Sequence, residues 1–369
     1  MTSALQQFYE NVQNQKSKTF SSLTQDLLAP PAPIPSFQEM AQQEIEQFKD
    51  INTDVKKRLW SELFGFGPIE SLLCDENVSE ILCNQFDQLY FEKSGLIEKA
   101  DDHFNSADSY QDFIERLCQK CHTFINREKP FVECQIENLR ITIIFQDLAR
   151  GFPLLAIRKK RDRIWPLEQL KNSGWCNEEQ LNHLKLMLQT KKNFLVVGGT
   201  GSGKTTVLQS LMTLTSANER TVIIEDTQEL VPTNSCSTSL LTHTNTLEPR
   251  LNVSMDDLLK RTLRLRPDRI GVGEIRGPEA KTLLMALSTG HDGSFGSMHA
   301  RTAQEAILRL EMLVQMGAPE WSLHSIRRLI GITLQTIVVV ERRGSLRCLE
   351  GIYEISSVEE TGITIHKNC

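Results

Sequence analysis

Asn193-Phe194-Leu195-Val196-Val197-Gly198-Gly199-Thr200-Gly201-Ser202-Gly203-Lys204-Thr205-Thr206 is an apolar run of strand length that flows into the pattern G-x-x-x-x-G-K-T. Val207, Leu208, Leu211 and Met212 follow at helical spacing, so the stretch reads as strand, glycine-rich turn, helix. Glycines let the backbone bend around a phosphate and aim its N–H groups inward, and the first turn of the helix adds the positive end of its dipole. Gly199, Thr200, Gly201, Ser202, Gly203, Lys204, Thr205 and Thr206 are therefore the expected contacts of a triphosphate such as ATP. Lys204 is expected to neutralise the β- and γ-phosphates, and the Thr205 hydroxyl to face Mg²⁺.

A phosphoryl group passed to water needs an acid facing that loop from the end of a neighbouring strand. Two apolar runs end in acid. Thr221-Val-Ile-Ile224 leads into Glu225-Asp226-Thr-Gln-Glu229, and Arg269-Ile-Gly-Val-Gly273 leads into Glu274. Open α/β sheets place ligands at such strand ends. Glu225, Glu229 and Glu274 are candidates for water activation and Asp226 for Mg²⁺; sequence does not decide which acid takes which role. Ser254-x-x-Asp257 is a helix-start signature, predicting a helix from Met255 to about Leu265 that stops before Pro267. Arg261, Arg264, Arg266 and Arg269 then cluster on its last turns and the following loop, either complementing the helix dipole or facing a phosphate. His291 and His299 bracket a further strand, and both are candidates for a role at the nucleotide.

Outward from this core the chain changes character. From about residue 180 strands alternate with capped helices, which implies an α/β domain with a mostly parallel sheet. Trp165-Pro166-Leu167 marks a junction before it. Between about 68 and 160, short β-rich runs (79–82, 88–92, 140–145, 154–158) surround a helix near 108–125, which reads as a smaller α+β domain. Apolar residues at three- and four-residue spacing from Phe37 to Leu63 predict a long helix ending before Gly65 and Pro68. Ala29-Pro-Pro-Ala-Pro-Ile-Pro-Ser36 is an extended linker, so the organisation expected is a flexible tail and Pro-rich linker over 1–36, a helical and α+β domain over 37–162, and the large α/β domain over 163–369.

Composition narrows the partners. Forty-one Lys and Arg against 47 Asp and Glu give a net charge of −6, so there is no global attraction to nucleic acid or anionic lipid, and no direct nucleic-acid partner is expected. No run of about 18 apolar residues exists, and the start of the chain lacks a secretory core, which predicts a cytosolic protein. Nine cysteines, an odd and scattered set, argue against a disulfide framework and for reduced thiols. Cys118-Gln-Lys-Cys121-His122 matches a haem-attachment spacing, but Phe113, Leu117, Cys121 and Phe124 fit one helix face better, and no second cysteine pair completes a zinc site.

The segments GGTGSGKTT, IIEDTQEL, LRLRPDRIGVGEIRG and TGHDGSFGSMHA resemble, in order, the Walker A, Asp box, Walker B and His box of the type II/type IV secretion and pilus-assembly ATPases, closest to the CpaF-like branch that serves tight-adherence pili. GFGPIESLLCDENVSEIL, QLYFEK and the stretch from Arg140 to Arg158 resemble that family's N-terminal domain, so the likeness covers about residues 60–356. The resemblance implies a RecA-like P-loop ATPase core, with ATP between it and the N-terminal domain of a hexameric ring of identical subunits. It implies Glu274 as general base, Glu225, Asp226 and Glu229 in support of Mg²⁺ and water, and His299 as γ-phosphate sensor. Arg140, Arg158 and Arg266 are implied as phosphate contacts. It also implies docking on an inner-membrane platform protein from the cytoplasmic side, to power pilus assembly or secretion. A conjugative or effector-exporting type IV secretion ATPase shares every motif. A nucleotide-gated interaction protein with little turnover is the alternative from another class. The family's acidic-Gly turn before Arg140 reads Glu137-Asn138-Leu139 here, and 233–252, with His243 and Arg250, matches the family poorly.

Overall fold

The computed structural model describes residues 42, 52–160, 164–243, 252–344, 346–359 and 362–369, which fall into two compact units split between positions 162 and 163. The Pro-rich tail and most of the long helix expected from Phe37 lie outside the described residues, as does Arg250.

The first unit opens with α1 (Thr53–Phe64), capped by the Asn52 side chain and ended at Gly65, followed by the short α2 (Glu70–Cys74). Six strands, β1 (Val78–Gln85), β2 (Gln88–Lys93), β3 (Leu96–Lys99), β4 (Phe131–Ile136), β5 (Leu139–Ile144) and β6 (Leu154–Lys159), form one antiparallel sheet in the order β3-β2-β1-β6-β5-β4. Helix α3 (Ala107–Lys120) starts at a Ser106–Ser109 capping box, and its Tyr110, Phe113, Ile114 and Leu117 join the core built from alternate residues of the sheet, among them Ile81, Ile141 and Ile157. The alternation leaves the residues between them, such as Leu82, Thr142 and Ala156, on the other, partly exposed face. The sequence reading found β1, β2, β5 and β6. It missed β3, whose four residues are all exposed, and β4, a six-residue edge strand of which only Val132 is fully buried although Val132, Cys134 and Ile136 alternate with polar residues.

A disulfide joins Cys121, just past α3, to Cys134 on β4, which corrects the all-reduced expectation for that pair. Cys118 is free and buried at the core face of α3, where burial pushes its thiol up to about 11. Phe113, Leu117 and Cys118 do lie on the core face, but the helix ends at Lys120, so Cys121 sits at its cap in the disulfide and Phe124 is exposed beyond it, which corrects the expected single helix face.

The second unit begins with α4 (Leu167–Asn172) and α5 (Glu178–Gln189), the latter opened by an Asn177–Gln180 capping box. Then follow β7 (Phe194–Val197), α6 (Lys204–Met212), β8 (Thr221–Glu225), β9 (Thr238–Leu241), α7 (Met255–Thr262), β10 (Arg269–Val272), α8 (Glu279–Leu287), β11 (Phe295–Met298), α9 (Ala303–Gly317), α10 (Leu323–Thr333), β12 (Thr336–Arg343), β13 (Leu346–Val358) and β14 (Ile363–Lys367). Eight strands form one sheet in the order β14-β13-β12-β7-β11-β10-β8-β9. It is parallel from β12 to β9 and antiparallel through the hairpins β12–β13–β14. Because the central strands are buried on both faces, β7 and the middle of β8 read as continuous apolar runs, while β10 and β11 mix apolar residues with glycine and a few hydrogen-bonded polar side chains. Leu195 and Val197 of β7 enter one core with α8, α9 and α10, while Phe194 and Val196 enter the other with α5 and α6. Helix α7 stops at Thr262, earlier than the expected Leu265, leaving Arg264 and Arg266 on the connecting loop.

Where β7 begins, Asn193 ties three strands together. Its side chain donates to Thr333 O (2.8 Å) and accepts from Ser294 N (2.9 Å), and its carbonyl accepts from Gln335 N and Thr336 N (both 3.1 Å). The residue is 2% exposed, so water cannot replace these partners. We expect Asn193→Ala to leave a buried donor and acceptor unmatched and to lower stability by about 2–4 kcal/mol, read as a lower urea midpoint with an unchanged slope; an unaltered midpoint would refute this account.

Candidate active site

All six parallel strands of the second unit point the same way, so everything that follows their C-terminal ends meets at one edge. The turn 198–203 leaves β7 there and enters α6. Gly201 (φ +69°) and Gly203 (φ +95°) take the left-handed backbone region that glycine adopts without strain. Lys204, at the first position of α6, is 8% exposed; its Nζ donates to the Gly198 and Gly199 carbonyls, each at 3.1 Å, which places the ammonium inside the loop. Ser202 Oγ closes the turn by donating to Gly199 O at 2.8 Å. Gly199, Thr200, Gly201 and Thr206 stay exposed on the loop's open side.

The acids of β8 separate by role. Glu225 is 3% exposed, and its carboxylate accepts from Glu229 N (3.1 Å) and Leu230 N (3.0 Å), so it shapes the loop after the strand. That loop carries Glu229 to the phosphate-binding turn, where its Oε2 accepts a 2.8 Å hydrogen bond from Thr205 Oγ1. Asp226 is exposed and accepts from Thr242 Oγ1 at 3.0 Å. The structure thus pairs Thr205 with Glu229, whereas the sequence reading coupled Thr205 with Asp226. A hydroxyl and a carboxylate side by side suit Mg²⁺, which takes hard oxygen ligands and commonly keeps waters and phosphate oxygens as the rest of its shell.

At the end of β10, Glu274 is gripped from two sides. Arg276 Nη2 donates to its Oε2 at 2.6 Å, and His299 Nε2 lies 3.1 Å from its Oε1. Arg276 is itself set by Glu279, whose Oε1 accepts from both Arg276 N and Gly277 N at 2.7 Å. His299 Nδ1 lies 3.4 Å from Lys204 Nζ, so the neutral tautomer with the proton on Nε2 serves both neighbours, donating to Glu274 and accepting from Lys204. Burial and the adjacent Lys204 charge hold the His299 pKa below its ordinary value, against the opposing pull of Glu274. For Glu274, burial favours the protonated form, but the Arg276 hydrogen bond and charge, with His299 and Lys204, outweigh it, so the carboxyl titrates below the usual glutamate range. Asp226 and Glu229 add to the field that keeps Arg276 charged.

Lys204, Thr205, Glu229, Glu274 and His299 are therefore gathered, as the sequence pattern requires. Others are not. His291 precedes β11 and His299 follows it, so a four-residue strand of about 13 Å separates them; His291 Nδ1 instead faces Ala286 O at 3.0 Å. By the same geometry Arg266 precedes β10 and Glu274 follows it, so Arg266, exposed and at φ +53°, stands at the opposite end of the sheet from the loop. Arg140 and Arg158 belong to the first unit, where they oppose each other across β5 and β6. Arg276 was missed by the sequence reading. Its signal lay in the open, two residues after Glu274 in Glu-Ile-Arg, but which way that arginine turns depends on Glu279.

A family model described as type II/IV secretion system protein matches residues 62–361. The conjugal transfer protein TrbB of Rhizobium radiobacter is 33% identical over 288 residues, covering 77% of this chain and 85% of its own length. A type IV secretion system protein PtlH homolog of Bordetella bronchiseptica is 30% identical over 306 residues, 76% of this chain and 90% of its own. Among solved structures, the Legionella pneumophila ATPase DotB shares the fold with a TM-score of 0.55 at 17% identity, covering 79% of this chain and 80% of its own. The pilus retraction motor PilT, solved with ADP, does so with a TM-score of 0.54 at 21% identity, over 81% and 80%. The second unit is a RecA-like core.

A carboxylate whose folded pKa is depressed adds stability above its unfolded pKa and loses it as the pH falls through the folded value. Glu274 is such a group, so Glu274→Gln should lose less stability than the parent between pH 7 and the carboxylate range. Urea midpoints at pH 7 and about pH 4 measure this; equal losses in the two proteins would show that Glu274 is not held ionised.

Proposed function

The chain belongs to the type II/IV secretion system protein family and is an ATP hydrolase, and from that premise we propose that it works as a cytoplasmic motor subunit in a homo-hexameric ring at the inner membrane. The observation that carries the reading is the convergence of Lys204, Thr205, Glu229, Glu274 and His299 on one glycine-rich turn. In the proposed cycle the amides of 199–205 and the Lys204 ammonium hold the β- and γ-phosphates. Thr205 and Glu229 hold Mg²⁺, with Asp226 as an outer partner; the ion, when bound, neutralises charge building up on the phosphate oxygens. Glu274 orients the attacking water and accepts its proton. A loose, metaphosphate-like transition state asks little basicity of that acceptor, which suits a carboxylate held low by Arg276. His299, bridging Glu274 and Lys204, is suited to sense the γ-phosphate, since any shift of the ammonium onto phosphate changes its hydrogen-bond partner. Glu225 positions Glu229 through the backbone. Arg140 and Arg158 are proposed as further phosphate-binding charge; Arg266, at the opposite end of the sheet, is not.

Among the described residues no helix is long and apolar enough to cross a membrane. The proposed motor therefore acts on an inner-membrane platform protein of a pilus or secretion system, with no direct nucleic-acid partner. The tight-adherence branch is proposed from the sequence segments. The names of the relatives TrbB and PtlH favour a second reading, a conjugative or type IV secretion motor. Purification from native membranes separates the two by which platform protein stays bound.

Lys204→Ala is expected to abolish steady-state phosphate release, and turnover persisting in that variant would sink the site assignment. Glu274→Gln should slow kcat by about 10²- to 10⁴-fold while leaving nucleotide affinity nearly unchanged. A parent oligomer that binds ATP but releases no phosphate would instead favour a nucleotide-gated interaction protein.

A further inference from the structure

The hairpin of β12 and β13 carries charge that the nucleotide motifs do not account for. Arg342 and Arg347 are direct cross-strand partners, so their side chains leave the same face. Two residues back along β12, Val340 on that face lies against Gly198. The two arginines therefore stand over the phosphate-binding turn itself. Arg347 Nε donates to Gly201 O at 3.0 Å, and its Cδ lies 3.3 Å from where a Cβ on Gly203 would stand. Arg342 Nη1 is 3.4 Å from where a Cβ on Gly201 would stand. Both residues are exposed, and like charges set directly opposite each other destabilise a strand pair. The opposite face of the same hairpin neutralises itself, with Arg343 paired to Glu341 at 2.9 Å.

We propose that Arg342 and Arg347 form a strand-borne anion clamp that binds the phosphate chain of a nucleoside di- or triphosphate seated in residues 198–205. The inference rests on the nucleotide-site reading above and adds to it a contact from the hairpin that flanks β7 on its other side, outside the four nucleotide motifs. Arg347 serves in two ways: through Nε it fixes the Gly201 peptide, and with Arg342 it brings two guanidinium charges within a Debye length, about 8 Å, of any phosphate in the turn. The fixed fork geometry of guanidinium matches phosphate oxygens, which a lone ammonium such as Lys204 does not.

Titration calorimetry with ADP and with a non-hydrolysable ATP analogue, on the full chain with Mg²⁺, tests this. Arg342→Ala/Arg347→Ala should weaken both ligands by about 10- to 100-fold and flatten the salt dependence of binding. Arg342→Lys/Arg347→Lys should recover part of the loss, and Arg343→Ala, on the other face, should bind like the parent. In turnover, KM should rise while kcat stays within about threefold. If the double alanine variant binds as the parent does, or if Arg343→Ala is equally impaired, the clamp is refuted and the nucleotide site stands. If the parent itself binds neither ligand, the site reading fails and the clamp with it.

Discussion

The backbone of β12 passes so close to the first turn residue that no side chain fits there. A Cβ on Gly198 would run into the Val340 carbonyl and the Ser202 hydroxyl, and would press on Val340 Cγ2. Strand β12 cannot retreat, because it is hydrogen-bonded in parallel register to β7 from Thr336 beside Phe194 to Val339 beside Val197. The turn is thus clamped against the sheet at the point where the chain leaves it. Its remaining residues must reverse direction within a few peptides to start α6. Everything at the site depends on that fixed exit. Lys204 reaches back into the loop because α6 starts where it does, and Thr205 meets Glu229 because β8 ends level with β7 across the sheet.

The acids at the strand ends share the work unequally, and burial decides the division. Glu225, sealed from solvent, has its carboxylate taken up by two backbone N–H groups and so acts on the shape of a loop. Glu229, Asp226 and Glu274 keep access to the open edge. Of these Glu274 alone is held by an arginine and a histidine together, so its orientation is set before any ligand arrives. A carboxylate held in place loses little freedom when it meets a water, and this prior ordering is where much of an enzyme's advantage lies.

How much of this was legible in the sequence follows from how local each signal is. The run 193–206, the acid-ended strands at 225 and 274, and the Ser254 helix start are short-range patterns, and each stands where expected. Strand β3 is four exposed residues, β4 is a short edge strand with only Val132 fully buried, and β12–β14 carry no motif, so three of the eight strands of the main sheet went unanticipated along with Arg342 and Arg347. The bond between Cys121 and Cys134 escaped for a related reason. Thirteen residues and a change from helix to strand separate the two sulfurs, and only the packing of α3's end against β4 brings them together.

By itself the sequence determined that a phosphate-binding turn joins a buried strand to a helix, that two acidic strand ends accompany it, and which family the chain joins. Those facts rest on residue type and spacing along the chain, which the backbone's own periodicities translate into local shape. Tertiary structure decided the rest: which carboxylate reaches Thr205, which histidine reaches Glu274, and which arginines stand over the turn. His299 and His291, or Glu274 and Arg266, are close in sequence yet lie at opposite ends of one strand, whereas Arg347 and Gly201 are far apart and touch. Parallel strand order sorts residues by which end of the sheet they follow, and no reading of neighbours along the chain contains that information.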